Sequence, residues 1–206
     1  MTGEARPLDL AGAAALLRAG GIVAYPTETF YGLGALWHRR EALQRLAAAK
    51  LRPAGKPLPL LCADRAQLAE VAGPLPPAAE RLAARFWPGP LTLVLPAAAG
   101  VPEEITAGTA TVGARIPGCA LARALASAAG GALVSTSANP SGGPPPRRAG
   151  ELAPEILAAI DGVLDGGATP GGLPSTVVAL GRDGPALVRA GVIPWDAVQG
   201  ALRDPH

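Results

Sequence analysis

Lysine and asparagine are almost missing from this chain: among 206 residues Lys occurs only at Lys50 and Lys56, and Asn only at Asn139. Every other cation is arginine, so the two lysines mark places that need a compact ammonium, which a planar guanidinium cannot replace. Cysteine is scarce too. Cys62 and Cys119 stand far apart in no metal-type spacing, and in a reducing compartment such residues behave as small buried hydrophobes. The apolar runs are short and broken by Gly or Pro, none approaching the roughly 20 residues of a membrane helix, so no membrane association is expected. The opening Met1-Thr2-Gly3-Glu4-Ala5-Arg6-Pro7 has no apolar stretch flanked by basic residues and a cleavage site, which points to the cytoplasm. A net charge of +2 is too mild to argue by itself for nucleic acid. His38 and His206 have no nucleophile or metal partner by spacing, so no metal site is expected.

What is present is a hydrophobic fraction of 49%, enough for one substantial core, and a single domain over residues 1–206 is the expectation. Asp9 can cap a first helix that stops at Gly20-Gly21. Strands are expected at 22–25, 58–62, 91–95, 111–116, 132–135, 162–164, 175–180 and 186–188. Helices are expected near 40–50, 65–71, 77–86, 120–129, 150–159 and 195–202. The alternation argues for an α/β fold, and the Pro-rich strand boundaries and close spacing near the C-terminus for antiparallel members as well: a twisted, mixed parallel/antiparallel sheet with flanking helices.

Three segments could carry chemistry. Lys50-Leu51-Arg52-Pro53-Ala54-Gly55-Lys56-Pro57 sets three cations at a helix end. A helix C-terminus favours cations by roughly 0.3–1 kcal/mol, which accounts for one of them. A polyphosphate cradle would account for all three. Ser135-Thr136-Ser137-Ala138-Asn139-Pro140-Ser141-Gly142-Gly143 follows an apolar strand and holds three of the five serines. It is either an ordinary turn or a hydroxyl-amide cluster at a strand end, where ligands of open sheets bind. Pro26-Thr27-Glu28-Thr29-Phe30-Tyr31-Gly32-Leu33-Gly34 mixes hydroxyls, a carboxylate and glycines and reads as a turn-rich passage. No G-x-x-x-x-G-K-[ST] occurs, so any ATP would be held in some other way. Arg115, inside an apolar strand, needs an anionic partner or a route to water, and Arg189 raises the same question.

In order, Pro26-Thr27-Glu28-Thr29 with Tyr31-Gly32-Leu33-Gly34, Lys50-x-Arg52-Pro53, Lys56-Pro57-Leu58, Trp87-Pro88-Gly89-Pro90-Leu91-Thr92, Val112-Gly113-Ala114-Arg115-Ile116-Pro117, Ser135-Thr136-Ser137-Ala138-Asn139-x-Ser141-Gly142, Pro174-Ser175-Thr176-Val177 and Arg189-Ala190-Gly191 closely resemble the YrdC family of threonylcarbamoyl-AMP synthases. The resemblance runs from about residue 8 to 195. It implies a basic concave cleft and a nucleotidyltransferase that forms threonylcarbamoyl-AMP and pyrophosphate from L-threonine, bicarbonate and ATP, for threonylcarbamoyladenosine in tRNA. It also implies Mg²⁺ arriving with ATP, a downstream threonylcarbamoyl-transferase machinery, and possible contact with tRNA or double-stranded RNA. The chain length resembles the short bacterial form. Carried over by motif, Thr29, Arg115, Ser135 and Ser175 would line the threonine side. Arg52, Lys56, Thr111, Ser137, Asn139 and Arg189 would face the nucleotide, with Lys50 and Arg52 as the catalytic pair.

The sequence departs from the family pattern twice. Leu60-Leu61-Cys62 stands where many members carry a histidine, and Gly143-Pro144-Pro145-Pro146-Arg147-Arg148 replaces a Ser-Pro-Thr-like element. The rival reading is a non-catalytic RNA-binding module, since a basic concave surface also attracts a phosphate backbone. A carbamoyl-adenylate domain of hydrogenase maturation proteins is disfavoured by the two isolated cysteines.

Overall fold

The computed structural model describes residues 6–50, 55–181 and 184–203. The chain opens with β1 (Arg6–Leu8), α1 (Leu10–Arg18), β2 (Val23–Pro26), β3 (Tyr31–Gly34) and α2 (Arg40–Ala49). It continues with β4 (Leu60–Leu61), α3 (Arg65–Val71), α4 (Pro77–Phe86), β5 (Leu91–Pro96), α5 (Glu103–Thr106) and β6 (Thr111–Arg115). Then come α6 (Ala120–Ala129), β7 (Leu133–Val134), β8 (Thr136–Ser137), α7 (Pro154–Leu157), β9 (Gly162–Leu164), β10 (Thr176–Gly181), β11 (Gly184–Arg189) and α8 (Trp195–Arg203).

Local chemistry sets many of these boundaries. The Asp9 carboxylate accepts from the Gly12 amide at 2.7 Å and opens α1. Asp64 does the same for α3 through the Gln67 amide at 2.9 Å. Pro154 at the start of α7 lacks an N–H, so it can begin a helix but not sit inside one. The helix expected at 150–159 is therefore a 3₁₀ turn at Ala149–Glu151 followed by a separate single turn, α7.

The expected mixed pairing is present, divided over two sheets. The first runs β1-β9-β2-β3-β8, parallel across β1, β9 and β2 and antiparallel beyond. The second runs β11-β10-β5-β6-β4-β7, parallel at β10/β5 and β6/β4 and antiparallel at its other pairings. Strand β3 occupies part of the passage read as turn-rich. Gly34 is what allows it: a side chain there would start 2.6 Å from the Tyr25 ring on the paired strand β2. The chain leaves the second sheet after β7 and enters the first at β8, with Ser135 at the crossing.

One face of the second sheet is core. Leu60, Leu91, Leu93, Leu95, Val112 and Ala114 pack there with Leu68, Val71 and Leu82 of α3 and α4. Side chains alternate along a strand. Thr92, Thr111, Gly113 and Arg115 must therefore share the opposite face, and the space above Gly113 is bounded by the Thr92 methyl at 3.4 Å. A second cluster joins α1 and α6 to β2 through Ala13, Leu17, Val23, Leu125 and Ala126. Among the described residues no helix is long and apolar enough to cross a membrane.

Candidate functional site

The polar face of the second sheet gathers Arg115, Ser135, Ser175, Arg189 and Thr111 of the residues singled out from the sequence. Arg115, at the end of β6, is only 4% exposed, so its charge needs partners. Its Nε donates to Glu28 Oε1 at 3.1 Å, and Nη2 approaches Ser135 Oγ at 3.4 Å. Ser135 is buried at the crossing between sheets, beside Tyr25. Burial pushes the Tyr25 phenol up to about 12, against the opposing pull of the Ser135 hydrogen bond. The phenol therefore stays protonated and donates to the Val134 carbonyl at 3.2 Å.

Two strands away, Ser175 precedes β10 and is buried. Its hydroxyl shares a hydrogen bond with Thr92 Oγ1 at 3.0 Å. Arg189 Nη2 donates to Ser175 Oγ and to the Ser175 carbonyl, both at 2.8 Å, and Nε donates to that carbonyl at 3.1 Å. Partial desolvation of its guanidinium, with Arg115 repelling it, holds the Arg189 pKa below its ordinary value, although the residue as a whole is exposed. Two like charges thus share one face of the sheet, an arrangement suited to an anion.

The third group forms around Lys50, also 4% exposed. Its ammonium donates to the carbonyls of Ser137 and, at 2.6 Å, Asn139. The Lys50 carbonyl accepts from Ser141 Oγ at 2.7 Å and from the Ser141 amide at 3.2 Å. The end of α2 is thereby bound to the 137–141 segment through side chain and backbone alike. Asn139 spends its amide N–H groups on the Pro140 and Gly143 carbonyls, at 3.0 and 2.6 Å, while Oδ1 is buried without a hydrogen-bond partner.

Thr29 is buried in a turn fastened by Thr27, whose Oγ1 donates to the Phe30 carbonyl at 2.7 Å and lies 3.1 Å from Thr29 Oγ1. Thr111 lies on the same face as Arg115 but at the other end of β6, about 13 Å along the strand at about 3.3 Å per residue. Lys56 is exposed and lines a separate 460 Å³ hollow with Arg40, Gln44, Glu103 and Glu104, which shares no residue with the cluster. Arg52 lies outside the described residues. Leu60, Leu61 and Cys62 are fully buried, so this stretch turns no charged side chain to the cluster. Burial lifts the Cys62 thiol to about 12, which leaves it an inert core atom.

The sequence reading passed over Glu28, Thr92, Thr27 and Tyr25. Thr92 had a signal, a hydroxyl within the apolar run Leu91-Thr92-Leu93-Val94-Leu95, and Glu28 is the one carboxylate of its passage.

The family model described as "Telomere recombination", Sua5/YciO/YrdC, matches residues 15–191. The chain belongs to this family. It is 41% identical over 199 residues to the threonylcarbamoyl-AMP synthase of Bacillus subtilis, covering 96% of this chain and 58% of that protein. The threonylcarbamoyl-AMP synthase of Halorhodospira halophila is 43% identical over 185 residues, 89% of this chain and 96% of that one. The crystal structure of Pyrococcus abyssi Sua5 complexed with L-threonine superposes with a TM-score of 0.89 at 42% identity, over 93% of this chain and 56% of that chain. The chain thus spans little more than half the length of the Bacillus and Pyrococcus relatives.

Within this Sua5/YciO/YrdC fold the Arg189-Ala190-Gly191 motif has a steric reason. A Cβ at Gly191 would stand 2.2 Å from the Pro174 carbonyl oxygen and 2.5 Å from Ser175 C and Thr176 N, backbone atoms that cannot rotate away. Gly191→Ala is expected to drive the end of β11 off Ser175 at a cost of about 1–3 kcal/mol. At roughly 2–4 °C per kcal/mol, thermal denaturation should register a loss of several degrees. An unchanged melting temperature would count against this close approach.

Proposed function

We propose that this chain is a threonylcarbamoyl-AMP synthase, a nucleotidyltransferase that uses L-threonine, bicarbonate and ATP. The observation that carries the reading is the arrangement of Arg115, Ser135, Ser175 and Arg189 on one sheet face, with the Lys50-bound 137–139 segment beside Ser135. The similarity to synthases from two bacteria and to a threonine-bound Sua5 supports it.

Threonine would place its carboxylate on the Arg115 guanidinium, with Thr29, Ser135 and Ser175 offering hydroxyls to its polar side chain. The nucleotide would extend towards Thr111, its phosphates near Arg189, Ser137, Asn139 and the cation Arg52, while Lys56, which lines a separate hollow, is left out of this contact. Bicarbonate loses water as its carbon joins the threonine amine, which gives up a proton, to form a carbamate, whose oxygen attacks the α-phosphorus of ATP as the bond to pyrophosphate breaks. Two anions must meet. Fixed cations lower their repulsion and stabilise charge on the phosphoryl oxygens, so no covalent enzyme nucleophile is required. Mg²⁺ enters as the ATP complex, held mainly by phosphate oxygens. The product would serve tRNA modification in the cytoplasm through a downstream threonylcarbamoyl-transferase machinery, with contact to tRNA or double-stranded RNA.

The test is pyrophosphate release with threonine or bicarbonate omitted in turn: each omission should abolish it. Release indifferent to both would refute the reading. An RNA-binding module alone would release none and would lose affinity steeply with salt.

A further inference from the structure

Glu28 carries no role in the reading above, yet its surroundings are constrained. The Thr27 hydroxyl accepts from the Thr29 and Phe30 amides at 3.2 and 3.3 Å, and the Thr29 carbonyl accepts from the Gly171 amide at 2.8 Å. The backbone on either side of Glu28 is thus held fast. Its side chain lies against Gly118, where an added Cβ would meet the Glu28 Cβ at 3.6 Å, and it ends at Arg115 Nε. The ion pair is buried, with side-chain exposures of 5% for Arg115 and 13% for Glu28. Among the described residues that hydrogen-bond to Arg115, Ser175 and Arg189, Glu28 is the only carboxylate. Its Oε2 is shut away from solvent with no hydrogen-bond partner among the described residues. A half-satisfied buried carboxylate weakens a fold, so its presence calls for an explanation in function.

Arginine offers five N–H groups in a planar fork. Glu28 occupies Nε, the inner edge of that fork, and Ser135 takes one N–H of Nη2. The outer edge, formed by the remaining Nη1 and Nη2 hydrogens, is left to meet a carboxylate bidentately. Without Glu28 a long side chain facing the like charge of Arg189 would swing away. We infer that Glu28 is a positioning residue that sets the Arg115 guanidinium edge-on to the carboxylate of the amino-acid substrate and balances one of the two neighbouring guanidinium charges. The inference rests on the proposed synthase reading. It goes beyond that reading in assigning the orientation of the carboxylate-binding group to a residue that does not itself touch substrate.

The experiment is calorimetric titration of L-threonine, and separately of a non-hydrolysable ATP analogue, into wild type, Glu28→Ala, Glu28→Gln, Arg115→Ala and the Glu28→Ala/Arg115→Ala double variant. Glu28→Ala should weaken threonine binding by about ten- to hundredfold, the range expected for a hydrogen bond to a charged group. The ATP analogue should change by less than about threefold, within the scatter of sites that do not interact. Because the two residues act as one unit, the double variant should bind threonine within about threefold of Arg115→Ala alone. Glu28→Gln keeps the acceptor and loses the charge, so it should fall between wild type and Glu28→Ala. It carries the same comparison if Glu28→Ala does not fold. Threonine affinity unchanged in both Glu28 variants, or threonine and nucleotide weakened equally, overturns the positioning role. Wild type that binds no threonine overturns the synthase reading itself.

Discussion

Lys50→Ala should lower threonine-dependent pyrophosphate release by about two to three orders of magnitude, the loss typical when one fixed donor to a developing charge is removed. The side chain is 4% exposed and its ammonium donates to the carbonyls of Ser137 and Asn139. Alanine would remove a cation next to the proposed phosphate site and take the ammonium donor from the Ser137 and Asn139 carbonyls, loosening the segment that presents Ser137 and Asn139. Both effects act on the same chemistry. The bonds from Ser141 to the Lys50 carbonyl do not involve the side chain, so the end of α2 remains tied and the protein should still fold. Lys50→Arg should not restore activity, because a planar guanidinium cannot replace a compact ammonium set between two carbonyls. The check is initial rate together with melting temperature. Near-normal turnover in Lys50→Ala removes Lys50 from the catalytic pair, and full activity in Lys50→Arg denies the need for a compact ammonium.

The elements legible in the sequence are those whose signal is local. Helices α3, α4 and α6 fall where the apolar pattern places them, and β9 spans the three residues expected. Missed elements depend on distant partners. Strand β3 contains two glycines and reads as turn, because nothing in Tyr31-Gly32-Leu33-Gly34 itself reveals the Tyr25 ring that fills the space over Gly34. Strand β8 is two residues long and exists because Ser137 pairs with Gly32 on β3. The short α5 is stabilised from outside its own sequence, its Ile105 carbonyl accepting from the Leu58 amide at 2.9 Å.

The site divides along the same line. The scarcity of lysine and asparagine singled out Lys50 and Asn139, and the structure joins them through one hydrogen bond. Arg115 stood out because a charge within an apolar strand requires a partner. That partner, Glu28, lies 87 residues away and could not be chosen from spacing. Lys56 shares the scarcity of Lys50, yet it lines a hollow between α2 and α5 apart from the cluster, so composition alone does not separate a residue on the polar face from one beside it.

Arg115→Ala should raise the apparent Michaelis constant for threonine by roughly a hundredfold, from the loss of two charge-assisted hydrogen bonds at about 1.5–3 kcal/mol each, partly offset by other contacts. The constant for ATP should move far less, because the nucleotide contacts proposed above lie on other residues. A complication comes from the ion pair: alanine strands the buried Glu28 carboxylate, and breaking such a pair costs about 3–5 kcal/mol of stability. The variant should therefore melt lower as well as bind worse, and kinetics must be taken well below its melting temperature. Arg115→Lys separates the two effects. An ammonium can answer Glu28 and restore stability, but it cannot present a two-pronged edge to a carboxylate. The expected pattern is a melting temperature restored by lysine with a threonine constant that stays high. A lysine variant that recovers both would show that Arg115 supplies only charge balance, and a threonine constant unchanged in Arg115→Ala would remove it from the amino-acid site.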